Sequence, residues 1–248
     1  MSDVVKLTQR ENNIAVVAME NREYKNTFSK QLIKGLVEVF EEIRNDVEAK
    51  VVVIHGYDNY FCCGGTKEEL IRIFEGKLQF TDLNFYDLLL KCDLPVIAAI
   101  QGHALGGGLA FGCYADLIVL AEECIYSANF MKYGFTPGMG TTYIVPKKFG
   151  QVLGSEMLLS ARNYYGGELR DRGVSVKVVK KEEVIKTALH LANELADKPI
   201  LPLKELKRRL AEPIRKALPE VIQKELVMHK VCFSQPEVRD RIESLFGN

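Results

Sequence analysis

The sequence predicts an α/β fold with a parallel sheet and an appended helical region, and three observations predict it. Short apolar strands near 51–55, 95–100 and 117–121 alternate with helical segments near 67–75, 82–92 and 107–114, the order expected of βαβ units. Two of the strands lead through glycines into a helix start, at Gly64-Gly65 and at Gly106-Gly107-Gly108. From about Lys181 onward the pattern is wholly helical.

Taken in order, Val4–Gln9 and Ile14–Met19 flank Glu11-Asn-Asn13, a hairpin signal. Ser29 reads as the N-cap of an amphipathic helix reaching about Arg44, with Leu32, Ile33, Leu36, Val37, Val39, Phe40 and Ile43 on its apolar side. Val51–Ile54 is an apolar strand followed by a polar loop, then Tyr60-Phe-Cys-Cys-Gly-Gly-Thr-Lys-Glu-Glu-Leu70 opens a helix. Pro95–Ile100 runs through Gln101-Gly-His-Ala-Leu-Gly-Gly-Gly108 into another. The helical tail divides into 182–196, 202–216, 218–233 and 236–246, with breaks expected at Pro199, Pro202, Pro213, Pro219 and Pro236. Such a tail is expected to bury little against the sheet and to suit covering a site or a neighbouring subunit.

Bulk properties narrow the function classes. The formal net charge is zero, so a general attraction to nucleic acid or anionic membrane is not indicated. No apolar run approaches the roughly 20 residues that span a bilayer, and Met1-Ser-Asp-Val-Val-Lys6 lacks a signal-peptide core. Six cysteines, at 62, 63, 92, 113, 124 and 232, show no metal-like spacing, and Cys113 and Cys124 sit in apolar surroundings as small hydrophobes. A reduced, cytoplasmic protein without a metal is the expectation.

The glycine turns carry the chemistry. A helix N-terminus leaves N–H groups unpaired and partly positive, and glycine lets another group approach the main chain. Two strand ends delivering such groups can converge on one carbonyl oxygen as it gains charge. The competing reading is two tight turns with close helix packing.

Four segments in this order, Phe61-x-x-Gly64-Gly65, Gln101–Gly108, Ala115-Asp116-Leu-Ile-Val-Leu-Ala121 and Gly134-Phe-Thr-Pro137-Gly-Met-Gly140, resemble the enoyl-CoA hydratase/isomerase (crotonase) family over about residues 4 to 245. The resemblance implies a spiral of ββα turns over 1–180 rather than a doubly wound sheet. It also implies a helical region at 181–248 that serves as lid and trimerisation element, giving trimers or hexamers. No cofactor is implied. It places the Gly65 and Gly107 N–H groups in an oxyanion hole for a thioester carbonyl, with Cys63, Ala110, Asn129 and Phe130 in the substrate pocket.

One departure matters most. The two glutamates with which hydratases handle water fall at Ala110 and Phe130, and neither side chain can move a proton. Asn129 is adjacent, but an amide is no general base. Ordinary hydration or glutamate-driven isomerisation is therefore disfavoured. A different cast is available: Lys67, two residues past Gly65, is either a solvated lysine or a cation inside the acyl pocket. His229, in the helical tail, is either a surface or interface residue or part of the lidded site. His103 reads as structural, and His55 and His190 as bland.

Within the family the chain resembles the branch of second enoyl-CoA-hydratase-like enzymes of polyketide β-branching cassettes. These share Gly65-Thr-Lys67-Glu68, lack the glutamates and carry a histidine in the C-terminal helices. The resemblance makes Lys67 and His229 the catalytic pair. The implied reaction is decarboxylation of 3-methylglutaconyl on an acyl carrier protein to 3-methylcrotonyl, Lys67 giving the proton and His229 binding the carboxylate or sharing that role. Basic clusters at 204–216 and at Lys147-Lys148 are candidate surfaces for the acidic carrier. The alternatives are an isomerase or hydratase of a small acyl thioester and a silent scaffold.

Overall fold

The computed structural model describes residues 3–45 and 48–246; the outermost two residues at either end of the expected regions, 1–2 and 247–248, lie outside them. The expected hairpin forms: β1 (Val5–Arg10) pairs antiparallel with β2 (Ile14–Met19). Asn12 and Asn13, both with positive φ, make the connecting turn, a conformation asparagine tolerates better than most residues. Helix α1 (Lys30–Asn45) follows and buries Leu32, Leu36, Val39, Phe40 and Ile43 on one face.

Three turns of a spiral come next. Each sends one strand to a large sheet and one to a small sheet, and then forms a helix; the second of these helices is wholly buried. They are β3 (Val51–His55), β4 (Tyr60–Cys62) and α2 (Lys67–Phe74); β5 (Val96–Ile100), β6 (His103–Leu105) and α4 (Gly107–Cys113); and β7 (Leu117–Ala121), β8 (Ile125–Ser127) and α5 (Thr141–Phe149). A single helical turn, α3 (Leu88–Lys91), lies between the first two. Helix α6 (Gln151–Ser160), β9 (Tyr164–Tyr165), α7 (Gly166–Asp171) and β10 (Lys177–Val179) complete this part of the chain.

The large sheet runs β1-β2-β3-β5-β7-β10, parallel except for the first pair, and the small one runs β4-β6-β8-β9. Strands β3 and β5 are almost wholly apolar and buried, as parallel strands covered on both faces must be. Two sheets fed alternately by successive strands make the ββα spiral rather than a doubly wound sheet.

The tail departs from expectation in two respects. Helix α8 (Val184–Ala196) packs over β2, β3, β5 and β7 and buries Val184, Ala188, Ala192 and Ala196. This part of the tail thus covers the large sheet; the small side chains let helix and sheet backbones approach closely. Pro213 and Pro219 do not end a helix, because α9 runs unbroken over Ile200–Cys232. Its buried positions Leu203, Lys207, Ala211, Ile214, Leu218, Glu225 and His229 keep helical spacing across both prolines. Burial along that face outweighs the hydrogen bond each proline removes. Helix α10 (Pro236–Leu245) closes the chain.

The helix expected at 82–92 is also replaced. A 3-10 turn at Phe80–Asp82, capped reciprocally by Gln79 and Asp82, leads to α3. Phe80, Phe85, Tyr86, Leu89 and Leu90 are buried. Among the described residues no helix is long and apolar enough to cross a membrane. All six cysteines are free, with Cys62, Cys113 and Cys124 buried.

Candidate active site

Two helix starts meet at the centre of the molecule. The turn after β4 carries Gly64 and Gly65; the turn after β6 carries Gly106 and Gly107. Gly64 has φ +80, and a methyl there would lie 2.8 Å from the Leu105 carbonyl oxygen and 3.2 Å from the Gly107 nitrogen. A methyl on Gly108 would sit 2.1 Å from the Cys62 carbonyl oxygen. Only hydrogen fits between these backbones, so glycine is required for the turns to touch. Among the described residues neither the Gly65 nor the Gly107 N–H has a partner within the chain. Each opens at a helix start, where such donors are intrinsically unpaired.

The other expected pocket residues gather around this seat. The Asn129 Oδ1 atom lies 2.8 Å from where a Gly106 methyl would be, and the Phe130 ring lies 4.0 Å from it. Ala110 is buried within α4, and Cys63, just before Gly64, has its thiol pushed up to about 11 by burial. A neutral thiol there is a packing group rather than a nucleophile.

Lys67 is the first residue of α2, behind a cap in which the Thr66 hydroxyl accepts from the Glu69 N–H at 3.2 Å. A cation is unfavourable at that end of α2. Its ammonium instead reaches the last turn of α10 and donates to the Glu243 carbonyl at 3.1 Å, the end of a helix that favours positive charge. Helix α10 lies across α2 and across the 129–133 turn.

His229 is buried on α9, edge-on to Phe80 with ring centroids 5.0 Å apart, and near Phe233 at 5.1 Å and Phe135 at 6.3 Å. Burial pushes its imidazole down to about 4, with the Thr136 and Pro137 carbonyls pulling weakly the other way, so it is neutral at pH 7. Among the described residues its buried Nε2 atom has no hydrogen-bond partner. An orphaned buried polar atom typically costs about 1–3 kcal/mol, and a ligand atom would relieve it. Phe135 links the two sides of the site, since it packs on Phe130 at 6.2 Å as well as on His229. No hydrogen bond joins Lys67 to His229 among the described residues.

Sequence reasoning missed the aromatic wall of Phe80, Tyr133, Phe135, Phe233 and Phe246. The dense run Phe130, Tyr133, Phe135 was its visible signal. It also missed Glu225, which closes the start of α5. His103 behaves as expected: its Nδ1 accepts from the Ile125 N–H at 2.9 Å and so fixes the small sheet.

The basic clusters read as carrier surfaces are largely spoken for. Lys207 is buried against Asp116 and the Leu89 carbonyl. Arg209 and Lys216 pair with Glu212, and Arg208 pairs with Glu205. Lys148 donates to the Ala115 carbonyl at 2.6 Å. Stretches that look like one basic face in sequence are divided by helical rotation between core and local ion pairs.

Comparison with known proteins fits this arrangement. The model of the enoyl-CoA hydratase/isomerase family matches residues 9–246. The chain belongs to that family. Among curated members it is 51% identical to the bacillaene synthase decarboxylase PksI of Bacillus subtilis, over 99% of this chain and 98% of that one. It is 29% identical to human mitochondrial methylglutaconyl-CoA hydratase, over 98% of this chain and 74% of that one. Among solved structures, a member of a dehydratase/decarboxylase couple in polyketide β-branching superposes with TM-score 0.97 at 50% identity, over 99% and 100% of the two chains. The ECH2 decarboxylase domain of CurF from Lyngbya majuscula superposes at 0.95 with 41% identity, over 98% and 99%. The crotonase spiral is thus shared along nearly the whole chain.

Proposed function

We propose that this enzyme is a decarboxylase of polyketide β-branching, converting 3-methylglutaconyl on an acyl carrier protein to 3-methylcrotonyl. The observation that carries this reading is an open oxyanion seat without the family's two glutamates beside it. Ala110 and Phe130 stand at the family's acid positions. Of the buried carboxylates on the neighbouring helices, Glu225 is held by the Gly140 and Thr142 donors at the start of α5, while burial raises the Glu69 pKa and leaves one of its oxygens unpaired among the described residues. A reaction that needs no base suits such a site.

In the reaction the bond between the carboxylate carbon and the γ-carbon breaks. Its electron pair becomes the new β,γ double bond, and the old double bond shifts to the α-carbon and thioester carbon. The carbonyl π pair moves onto oxygen. The Gly65 and Gly107 N–H groups stabilise that oxyanion, with fixed donors that need no reorganisation. One CO₂ leaves, and one proton is returned to the γ-carbon. Lys67 supplies the cation at the site and delivers the proton. His229 meets the substrate carboxylate as a neutral imidazole, and the approaching anion favours its protonation. The aromatic wall excludes water from the dienolate.

The carrier protein presents the thioester, and the enzyme works in the cytoplasm as a trimer or hexamer. Exposed Leu201, Leu206, Leu210, Val227 and Val231 on α9, with Val152 and Leu159 on α6, support an oligomer that covers apolar surface.

Mass spectrometry of 3-methylglutaconyl-carrier protein incubated with the enzyme, with crotonyl-CoA in parallel, tests the reading. The expected result is loss of the mass of CO₂ from the carrier-bound acyl group and no change in crotonyl-CoA. Gain or loss of water on either substrate without CO₂ release would replace the reading with a hydratase.

A further inference from the structure

We propose that Glu225 is a positioning residue for the decarboxylation: from α9 it fixes the strained turn that sets Met139 beside Gly107 and the Thr136–Pro137 backbone beside His229. The proposal rests on the decarboxylase reading above. Glu225 and His229 lie one helical turn apart and so project from the same face of α9. Both face the segment 136–142, one through a carboxylate and the other through a ring.

The Glu225 side chain is fully buried. Its Oε2 accepts from the Gly140 N–H at 2.7 Å, and its Oε1 accepts from the Thr142 N–H at 2.9 Å and the Thr142 hydroxyl at 2.6 Å. Helix α5 has no side-chain cap of its own, so a carboxylate from a distant helix serves instead. Three donors converging on two oxygens match an anion and mismatch an amide, which would turn an NH₂ group toward one of them.

The turn so held is strained. Met139 has φ +63 and is followed by Gly140 at φ +73. A methionine persists in the left-handed region only where its surroundings over-determine it. Two partners do so here: the Tyr114 hydroxyl donates to the Met139 carbonyl at 2.6 Å, and Glu225 takes the N–H groups beyond.

This strain has an address. The Met139 sulfur lies 3.4 Å from where a Gly107 methyl would be, against the oxyanion donor. On the other side of the turn a methyl on Gly138 would stand 2.8 Å from Phe80, and Phe80 packs on His229. One carboxylate therefore couples the helix carrying His229 to the turn that touches Gly107.

The test compares wild type, Glu225→Gln and Thr142→Val on 3-methylglutaconyl-carrier protein. Circular dichroism at the assay temperature establishes the folded fraction. For E225Q the expected result is a kcat lower by about 10- to 100-fold, the scale of a small misplacement of reacting groups, with KM within about threefold of wild type. The ratio of 3-methylcrotonyl to its β,γ-unsaturated isomer should also change, because a loosened turn no longer fixes where the dienolate meets its proton. T142V should move both quantities the same way and less, and it decides the matter if E225Q does not fold. Wild-type kcat and product ratio in the folded variants would overturn the proposal. So would a loss of rate that tracks the unfolded fraction with the product ratio unchanged. A wild-type enzyme that releases no CO₂ would instead overturn the decarboxylase reading, and this proposal with it.

Discussion

The starts of α4 and α5 make an instructive pair. Both begin at a glycine-bearing turn, and neither has a side-chain cap of its own. At α5 the exposed N–H groups are closed by Glu225 from another helix; at α4 the Gly107 N–H is left open. The same local physics therefore produces a structural joint in one place and the proposed anion seat in the other. What separates them is whether a carboxylate from elsewhere in the chain arrives. Helix α2 falls between the two, with Thr66 and Glu69 closing part of its start while Gly65 stays free just ahead of it.

The largest effect expected is at the charged end of this comparison. Lys67→Ala removes the cation held between α2 and α10, and single-turnover decarboxylation should slow by about 10²–10⁴-fold, the range for loss of a general acid. A variant with wild-type rate would remove Lys67 from the mechanism. Closing the open seat comes next. Gly107→Pro deletes the donor at a first helical position, where proline is otherwise tolerated, and should lower kcat by about 10²–10³-fold. Gly107→Ala is its steric control, since it keeps the N–H while its methyl presses on Phe28; it should lose less.

Smaller effects lie in stability. Burial lowers the His229 pKa in the folded state to about 4 from 6.5. Between those values the unfolded chain binds more protons, so this residue's contribution makes stability rise with pH and decline as pH falls from 6.5 to 4. His229→Gln should therefore remove roughly 3 kcal/mol of acid sensitivity across that window, at about 1.4 kcal/mol per pKa unit, measured by urea unfolding of both chains. Burial raises the Glu69 and Glu225 pKa values and so acts in the opposite sense; both groups are present in each chain and cancel in the difference. Parallel curves for the two proteins would contradict the assignment. Opening a closed start should matter least: Thr66→Ala removes the α2 cap and should cost about 1 kcal/mol, with kcat within a factor of about two.

How much of this was legible in the sequence follows from range. Strands β3, β5 and β7 are runs of mostly buried apolar residues, and the glycine clusters stand out within ten residues beyond two of them, so both were readable. Strands β4, β6 and β8 are three residues each, too short for a period of two to register. The small sheet could be anticipated only through family resemblance. The prolines of α9 misled because local propensity was read where a long buried face governs. Glu225 was invisible for another reason: its partners Gly140 and Thr142 lie 85 and 83 residues away, and nothing near residue 225 announces them. The absent acids at Ala110 and Phe130, by contrast, were legible through the family resemblance, and they remain the most informative positions for the chemistry.

The contact between Gly64, Gly107 and Gly108 has an evolutionary consequence. Because a single methyl at Gly64 or Gly108 meets backbone rather than a yielding side chain, the proposed oxyanion seat offers almost no neighbouring sequences through which it could drift. The walls are under no such restriction: an acid can become Ala110, another can become Phe130, and a cation can appear at Lys67 while the seat stands unchanged. A lineage built on this spiral is thereby steered toward inventing reactions that share one intermediate, a thioester oxyanion, and differ in what is done to reach it.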